Sequence, residues 1–279
     1  LHIVRYRRAD LAKVVDTINA TGYGLTLGVH SRIDETIDFI VARAHVGNIY
    51  VNRNIVGAVV GVQPFGGEGK SGTGPKAGGP LYLKRLQRHA APLMEHSRSF
   101  DAGLDALLGW LRHNGQQDLA TLAQGYGRTA LNGVEIVLPG PTGERNTLAF
   151  TPRGTVLCAP QTATGLLNQL AASLANGNRA LVLAAPGLIP ANLPALVKER
   201  VRFIGEDEVE VSEFQIALLE AGLTGALRTK LAARPGAIVG IVDTSAAEPV
   251  ALWRLVAERA VCVNTTAAGG NASLMTLGV

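Results

Sequence analysis

The chain has 279 residues, 47% hydrophobic and 17% charged, so it can bury a large core and is neither a disordered segment nor a small disulfide scaffold. Its net charge of +4 is scattered apart from Arg5 to Arg8 and Lys84 to His89, and aromatic residues make up only 5%, which argues against nucleic-acid binding. With two cysteines a reducing cytoplasm is the expected home, and no apolar run reaches transmembrane length.

The opening "LHIVRY" reads as a strand, and a chain that begins there at Leu1 is expected to be part of something longer. "RADLAKVVDTINA" then carries Leu11, Val14, Val15 and Ile18 at helical spacing. "TGYGLTLGVHS" reads as a turn and strand, "RIDETIDFIVARA" as a second helix and "GNIYVNRN" as a strand. Residues 1–87 form one zone, and residues 88–132 a helical connector. In the connector "SFDAGLDALLGWLRHNGQQ" opens on a Ser/Asp cap signal and carries an apolar stripe through Leu104, Leu107, Leu108 and Leu111.

Residues 133–279 alternate strands and helices. "VEIVLPGPTGERNTLAFTPRGTVLCA" gives strands with a hairpin turn at "PTGERN", and "TGLLNQLAASLANGNRALVLAA" a helix ending near Gly177 and then a strand. "AIVGIVD" reads as a strand, "PVALWRLVAERA" as a helix and "VCVNT" as a strand. The alternation predicts an α/β fold with a parallel sheet.

Between the first zone and the connector lies "QPFGGEGKSGTGPKAGGP", residues 63–80, with seven glycines and three prolines. "GEGKSG" spells a dinucleotide fingerprint and "PFGGEGKS" approximates a P-loop. Both motifs must open into a helix whose N-terminus holds the phosphate, but Pro75, Gly78, Gly79 and Pro80 prevent one here, and Pro64 stands where the P-loop needs its first glycine. The loop is therefore read as turn-rich, its glycines letting a ligand approach backbone N–H groups, with Gly57 and Ala58 placed to bind an anion such as a carboxylate and Phe65 as an aromatic wall.

Other chemistry is sparse. The six histidines show no metal-ligand spacing, and no G-x-S-x-G occurs. "GEDEVEVSE", residues 205–213, reads as a solvated turn, with a cation site as the alternative. Cys158 and Cys262 sit in apolar runs and read as buried thiols; the competing reading makes Cys262 a nucleophile beside "VNTTAAGGNAS", although no general base is near it in sequence.

The residues 1–87 resemble the C-terminal end of an aldehyde dehydrogenase. "INATGYGLTLGVHS" is similar to that family's N-x-x-x-Y-G-L-x-x-G-V segment, and "GNIYVNRN" with "QPFGGEGKSGTG" to its G-x-x-x-V-N and P-F-G-G-x-x-x-S-G-x-G signature. More specifically, "NRNIVGAVVGVQPFGGEGKSGTGPKAGGPLYL" resembles the L-glutamate γ-semialdehyde dehydrogenase part of bifunctional proline utilization A proteins. "LPGPTGERNTLAFTPRGTVLCAP" and "ERAVCVNTTAAGGNASLMTLG" resemble the C-terminal domain and closing tail of their longer members. The fold implied is a partial aldehyde dehydrogenase domain followed by a Rossmann-like, non-catalytic aldehyde-dehydrogenase-like domain.

The resemblance implies that Gly57 and Ala58 lie on an aldehyde anchor loop that binds the substrate α-carboxylate, with Phe65 packed on its aliphatic chain. The implied reaction is oxidation of the semialdehyde to glutamate by attack of a cysteine thiolate, with NAD as oxidant; FAD belongs to a separate proline dehydrogenase domain. The family's G-Q-x-C-S cysteine, general-base glutamate, cofactor-binding unit and E-x-F-G-P motif are missing from this sequence, so no catalytic, cofactor-binding or metal-binding residue is assigned and no cofactor is expected on this chain alone. The implied partners are the upstream catalytic part of the same polypeptide and further copies in a homo-oligomer. A non-catalytic assembly or lid module, for dimerisation and sealing a substrate channel, is the alternative, and an independent nucleotide-binding protein a third reading.

Overall fold

The computed structural model describes residues 2–87, 93, 95, 100–222 and 225–266. In chain order its elements are α1 (Leu11–Ala20), β1 (Tyr23–Gly24), β2 (Thr26–Val29), α2 (Asp34–Arg43), β3 (Asn48–Val51), β4 (Glu68–Gly69) and α3 (Tyr82–Leu86). There follow α4 (Ala102–His113), α5 (Gln117–Thr129), β5 (Glu135–Leu138), β6 (Glu144–Pro152), β7 (Thr155–Ala159), α6 (Ala163–Ala175), β8 (Arg179–Val182), α7 (Ala195–Lys198) and β9 (Val201–Phe203). Last come β10 (Ile216–Glu220), α8 (Gly225–Ala232), β11 (Gly240–Thr244) and β12 (Val256–Asn264). The residues divide into two compact units: 1–86 with 135–149 and 258–279, and 87–134 with 150–257.

The first unit holds a five-stranded sheet in the order β2-β3-β12-β6-β5. β3 is parallel to both β2 and β12, whereas β5 and β6 form the antiparallel hairpin expected around "PTGERN". Every residue of β3 is buried, and Val15 of α1 packs with Val29, Ala44, Val46, Ile49 and Val51 beneath it. A small antiparallel ladder pairs β1 with β4 and ties the glycine-rich loop back to the start of the unit.

The second unit is built on a wholly parallel sheet in the order β11-β10-β7-β8-β9. Its strands read as near-continuous apolar runs because both faces are covered. Val156 and Cys158 of β7 belong to one apolar cluster with α4, α5 and α6; Leu157 and Ala159 belong to another with Leu227 and Leu231 of α8. All four leucines of the predicted α4 stripe are buried there. The helix starts where the cap signal placed it: Asp101 accepts a hydrogen bond from the Gly103 N–H at 2.8 Å and pairs with Arg200 at 3.0 Å.

Two expectations need correction. "PVALWRLVAERA" is not a helix: a short 3-10 turn, Leu252–Leu255, leads into β12. Along β12 burial alternates through Val256, Glu258, Ala260 and Cys262, the two-residue period of a strand, and pairing with β3 outweighs the helix-forming residues in "LVAERA". "LHIVRY" is not a strand either, since residues 2–7 are exposed and join no strand ladder among the described residues. Asp101→Ala is expected to lower the stability of the second unit by about 1–2 kcal/mol through loss of the cap, read as a shift in the denaturant midpoint with an unchanged slope.

Candidate functional site

The first unit presents a loop directly after β3. Asn52 leaves the strand in the left-handed region, φ 55°, and its side chain bridges both backbone groups of Ser31, accepting from the N–H at 3.0 Å and donating to the carbonyl at 2.9 Å. Beyond it Ile55, Val56, Val59 and Val60 are all exposed. The segment closes at Val59, whose carbonyl accepts from the N–H groups of Val62 and Gln63 at 3.1 and 2.8 Å. The Gln63 side chain accepts from the Val59 N–H at 3.1 Å. Gly57 (φ 86°) and Ala58 lie exposed on this loop, and among the described residues their N–H groups donate to no protein acceptor.

The next stretch is held far more tightly. Phe65 and Ala77 exchange backbone hydrogen bonds at 3.0 and 2.9 Å. Buried Asn48 of β3 donates from Nδ2 to the Pro64 carbonyl at 2.9 Å and accepts at Oδ1 from the Gly66 N–H at 3.1 Å. Lys76, only 2% exposed, donates from Nζ to the Gly66 carbonyl and, at 3.3 Å, to Asn48 Oδ1. Its own N–H donates to Glu258 Oε2 of β12 at 2.7 Å. Burial draws the Lys76 ammonium down from 10.5 to about 8, against the opposing pull of Glu258 and Glu68, while Arg259 lowers it further.

This explains the glycines. A side chain at Gly47 would strike the Gly66 carbonyl and come within 2.6 Å of Lys76 Nζ, and Gly69 turns at φ 59° hard against the Gly22 carbonyl. Backbone packs on backbone, and no helix begins between β3 and Tyr82, so the segment has neither the shape nor the helix of a phosphate loop.

Neither cysteine is poised for attack. Cys158 is fully buried, beside Ser173, and burial pushes its thiol up to about 12. Cys262 accepts from Arg53 at 2.9 Å and from Gln63 at 3.3 Å, and Arg53 also pairs with Glu144 at 2.6 Å. Burial raises the Cys262 thiol despite the neighbouring guanidinium. The acidic 205–213 turn is engaged internally: Glu208 accepts from Arg202 at 3.1 Å and from the Gly205 N–H at 3.0 Å, and no cluster suited to a metal occurs among the described residues.

In the second unit the strand order puts the crevice between β7 and β10, where a doubly wound sheet receives a dinucleotide. That position is filled by the protein. The Glu220 carboxylate, at the end of β10, accepts from the N–H groups of Gln161 and Thr162 at 2.6 and 3.1 Å and from the Thr162 hydroxyl at 2.8 Å, at the start of α6. A side chain at Gly165 would collide with the same carboxylate. The residues present do not fit a dinucleotide phosphate there.

Gly57, Ala58 and Phe65 thus lie within one loop region, all exposed, Phe65 at 37%. Sequence reasoning did not single out Asn48, Gln63 or Lys76. A lysine set between "GP" and "AGG" carries the pattern of a solvated loop, and only the fold reveals that it is buried. The closing tail of the resemblance lies largely outside the described residues, which end at Thr266.

Residues 1–89 match the aldehyde dehydrogenase family. Over its full length the chain is homologous to the C-terminal region of the bifunctional PutA proteins. It is 48% identical over 300 residues to bifunctional protein PutA of Salmonella typhimurium, covering 100% of this chain and 22% of that protein. It is 46% identical to that of Rhizobium meliloti, covering 100% and 24%. The 1-pyrroline-5-carboxylate dehydrogenase of Geobacillus sp. (strain WCH70) is 46% identical over 82 residues, 29% of this chain and 16% of that one. The structure of proline utilization A from Corynebacterium freiburgense matches with a TM-score of 0.63 at 26% identity, over 91% of this chain and 24% of that one. The chain therefore spans about a quarter or less of the PutA relatives it matches.

Two outcomes follow. Both cysteines are expected to resist a thiol reagent at neutral pH in the folded chain and to react once denaturant is added, counted by mass. For Lys76 the folded value lies below the unfolded one, so between about pH 8 and 10.5 the unfolded chain holds more protons and stability rises with pH. The stability of the parent chain relative to Lys76→Met should accordingly climb across that window, by up to about 3 kcal/mol, and stay level below it.

Proposed function

We propose that this chain supplies the substrate-anchoring segment of an NAD-dependent L-glutamate γ-semialdehyde (1-pyrroline-5-carboxylate) dehydrogenase, in the breakdown of proline to glutamate. The observation that carries the reading is the open Gly57–Ala58 backbone in the same loop region as Phe65. The two undonated N–H groups suit a carboxylate, each charge-assisted bond contributing about 1.5–3 kcal/mol, while Phe65 and the exposed valines suit an aliphatic chain. The homology to PutA and to 1-pyrroline-5-carboxylate dehydrogenases supports the same assignment.

In this reading Gly57 and Ala58 bind and orient the α-carboxylate, and Phe65 confines the carbon chain so that the aldehyde faces a cysteine supplied by the upstream catalytic part of the polypeptide. NAD, when bound to the complete enzyme, accepts the hydride; FAD serves the separate proline dehydrogenase reaction. We read the dehydrogenase segment as residues 1–87 and the helical connector as residues 88–132; a family match over residues 1–89 supports the first of these. The complete protein is read as a cytoplasmic homo-oligomer; among the described residues no helix is long and apolar enough to cross a membrane.

A second reading applies to the second unit, where Glu220 occupies the position of a ligand anion. It is a non-catalytic module for dimerisation and for sealing a substrate channel.

The test is NADH formation from L-glutamate γ-semialdehyde, followed by absorbance. The chain alone should be inactive, and addition of the catalytic segment of a PutA relative should give turnover. Turnover by the chain alone would sink the anchoring reading and send attention to Cys262.

A further inference from the structure

We propose that Lys76 is a positioning residue for Phe65: by donating to the Gly66 carbonyl it fixes the backbone from which Phe65 is presented to the substrate's carbon chain. The inference rests on the anchoring role proposed above, and adds a residue to which neither motif nor family match assigns a role.

Five backbone polar groups flank the Phe65 side chain: the Pro64 carbonyl, the Phe65 N–H and carbonyl, and the Gly66 N–H and carbonyl. All five are taken up, by Asn48, by Ala77 and by Lys76. Lys76 is the member that joins this clamp to the sheet from the other side, because its N–H is held by Glu258 of β12 while Asn48 belongs to β3. A line of support therefore runs from β12 through Glu258 and Lys76 to Gly66.

The cost of burying an ammonium group indicates that it does something a neutral residue does less well. Lys70, the other lysine of the segment, shows the contrast: it is exposed, donating to the Thr21 carbonyl at 3.0 Å and lying 5.2 Å from the Tyr23 ring. Phe65 stands at 37% exposure, so packing cannot surround its ring. A side chain that must stay open to a ligand has to be held from its backbone, and a cation on the adjoining carbonyl is the strongest such hold.

The experiment compares Lys76→Met, Lys76→Gln and Phe65→Ala. In the 279-residue chain, amide hydrogen exchange at Phe65, Gly66 and Ala77 should quicken about tenfold or more in Lys76→Met, while Ile49 to Val51 stay protected. Lys76→Gln keeps an N–H donor and should recover part of that protection. In the chain combined with the catalytic segment, Lys76→Met should raise KM for the semialdehyde about fivefold to tenfold with kcat nearly unchanged, in the same direction as Phe65→Ala. Unchanged exchange at residues 65, 66 and 77 overturns the clamp whatever the substrate. A KM raised by Phe65→Ala but untouched by Lys76→Met overturns the positioning role. If Phe65→Ala also leaves KM unmoved, the anchoring reading fails, and the substrate part of this proposal fails with it, while the exchange result still judges the clamp.

Discussion

The approach of two backbones, at Gly47 and Gly66, is the constraint from which the first unit's loop follows. Nothing larger than a hydrogen fits at Gly47, so the strand that begins at Asn48 can lie directly against the loop. At that distance polar backbone groups have no water, and each must find a partner inside the protein. Asn48 and Lys76 are those partners, and both are buried as a result. The glycines, the buried amide and the buried ammonium are one arrangement: remove the close approach and none of the three has a reason to be there.

Much of this fold could be read along the chain. The α4 stripe, its Asp101 cap, the hairpin at "PTGERN" and the parallel sheet all follow from spacing and turn chemistry that act locally. What could not be read depends on partners distant in sequence. "LVAERAVCVN" contains helix-forming residues, and it is a strand because β3, some two hundred residues earlier, offers it a ladder. Lys76 has no local sign of burial, since its acceptors are Gly66 in the facing arm of the loop and Asn48 in the sheet. Gly57, Ala58 and Phe65 were picked out by resemblance as much as by residue type. They lie exposed in one loop region, and the support beneath Phe65 is invisible to either kind of reading.

In the proposed anchoring role the loop has two mechanical demands to meet within a short stretch. Residues 55–61 are exposed and sparsely bonded, with only the Val56 and Val59 N–H groups donating among the described residues, whereas residues 64–66 have every backbone group engaged. A carboxylate can be gripped by a segment free to adjust to it, but an aromatic wall is useful only if it does not yield. Gln63 stands at the junction, accepting from Val59 on the loose side and donating to Glu144, Asn146 and Cys262 on the firm one. Cys262, read as a buried thiol with a nucleophile as the alternative, is part of that footing.

Glu220 brings a different consequence. The N-terminus of α6 at the head of a doubly wound sheet is a place of positive potential, and most such sheets leave it for a visitor. Here the visitor is tethered. A carboxylate carried by the neighbouring strand is present at a high effective concentration that does not depend on any dissolved anion. The second unit thus supplies from its own β10 the negative charge that the N-terminus of α6 favours.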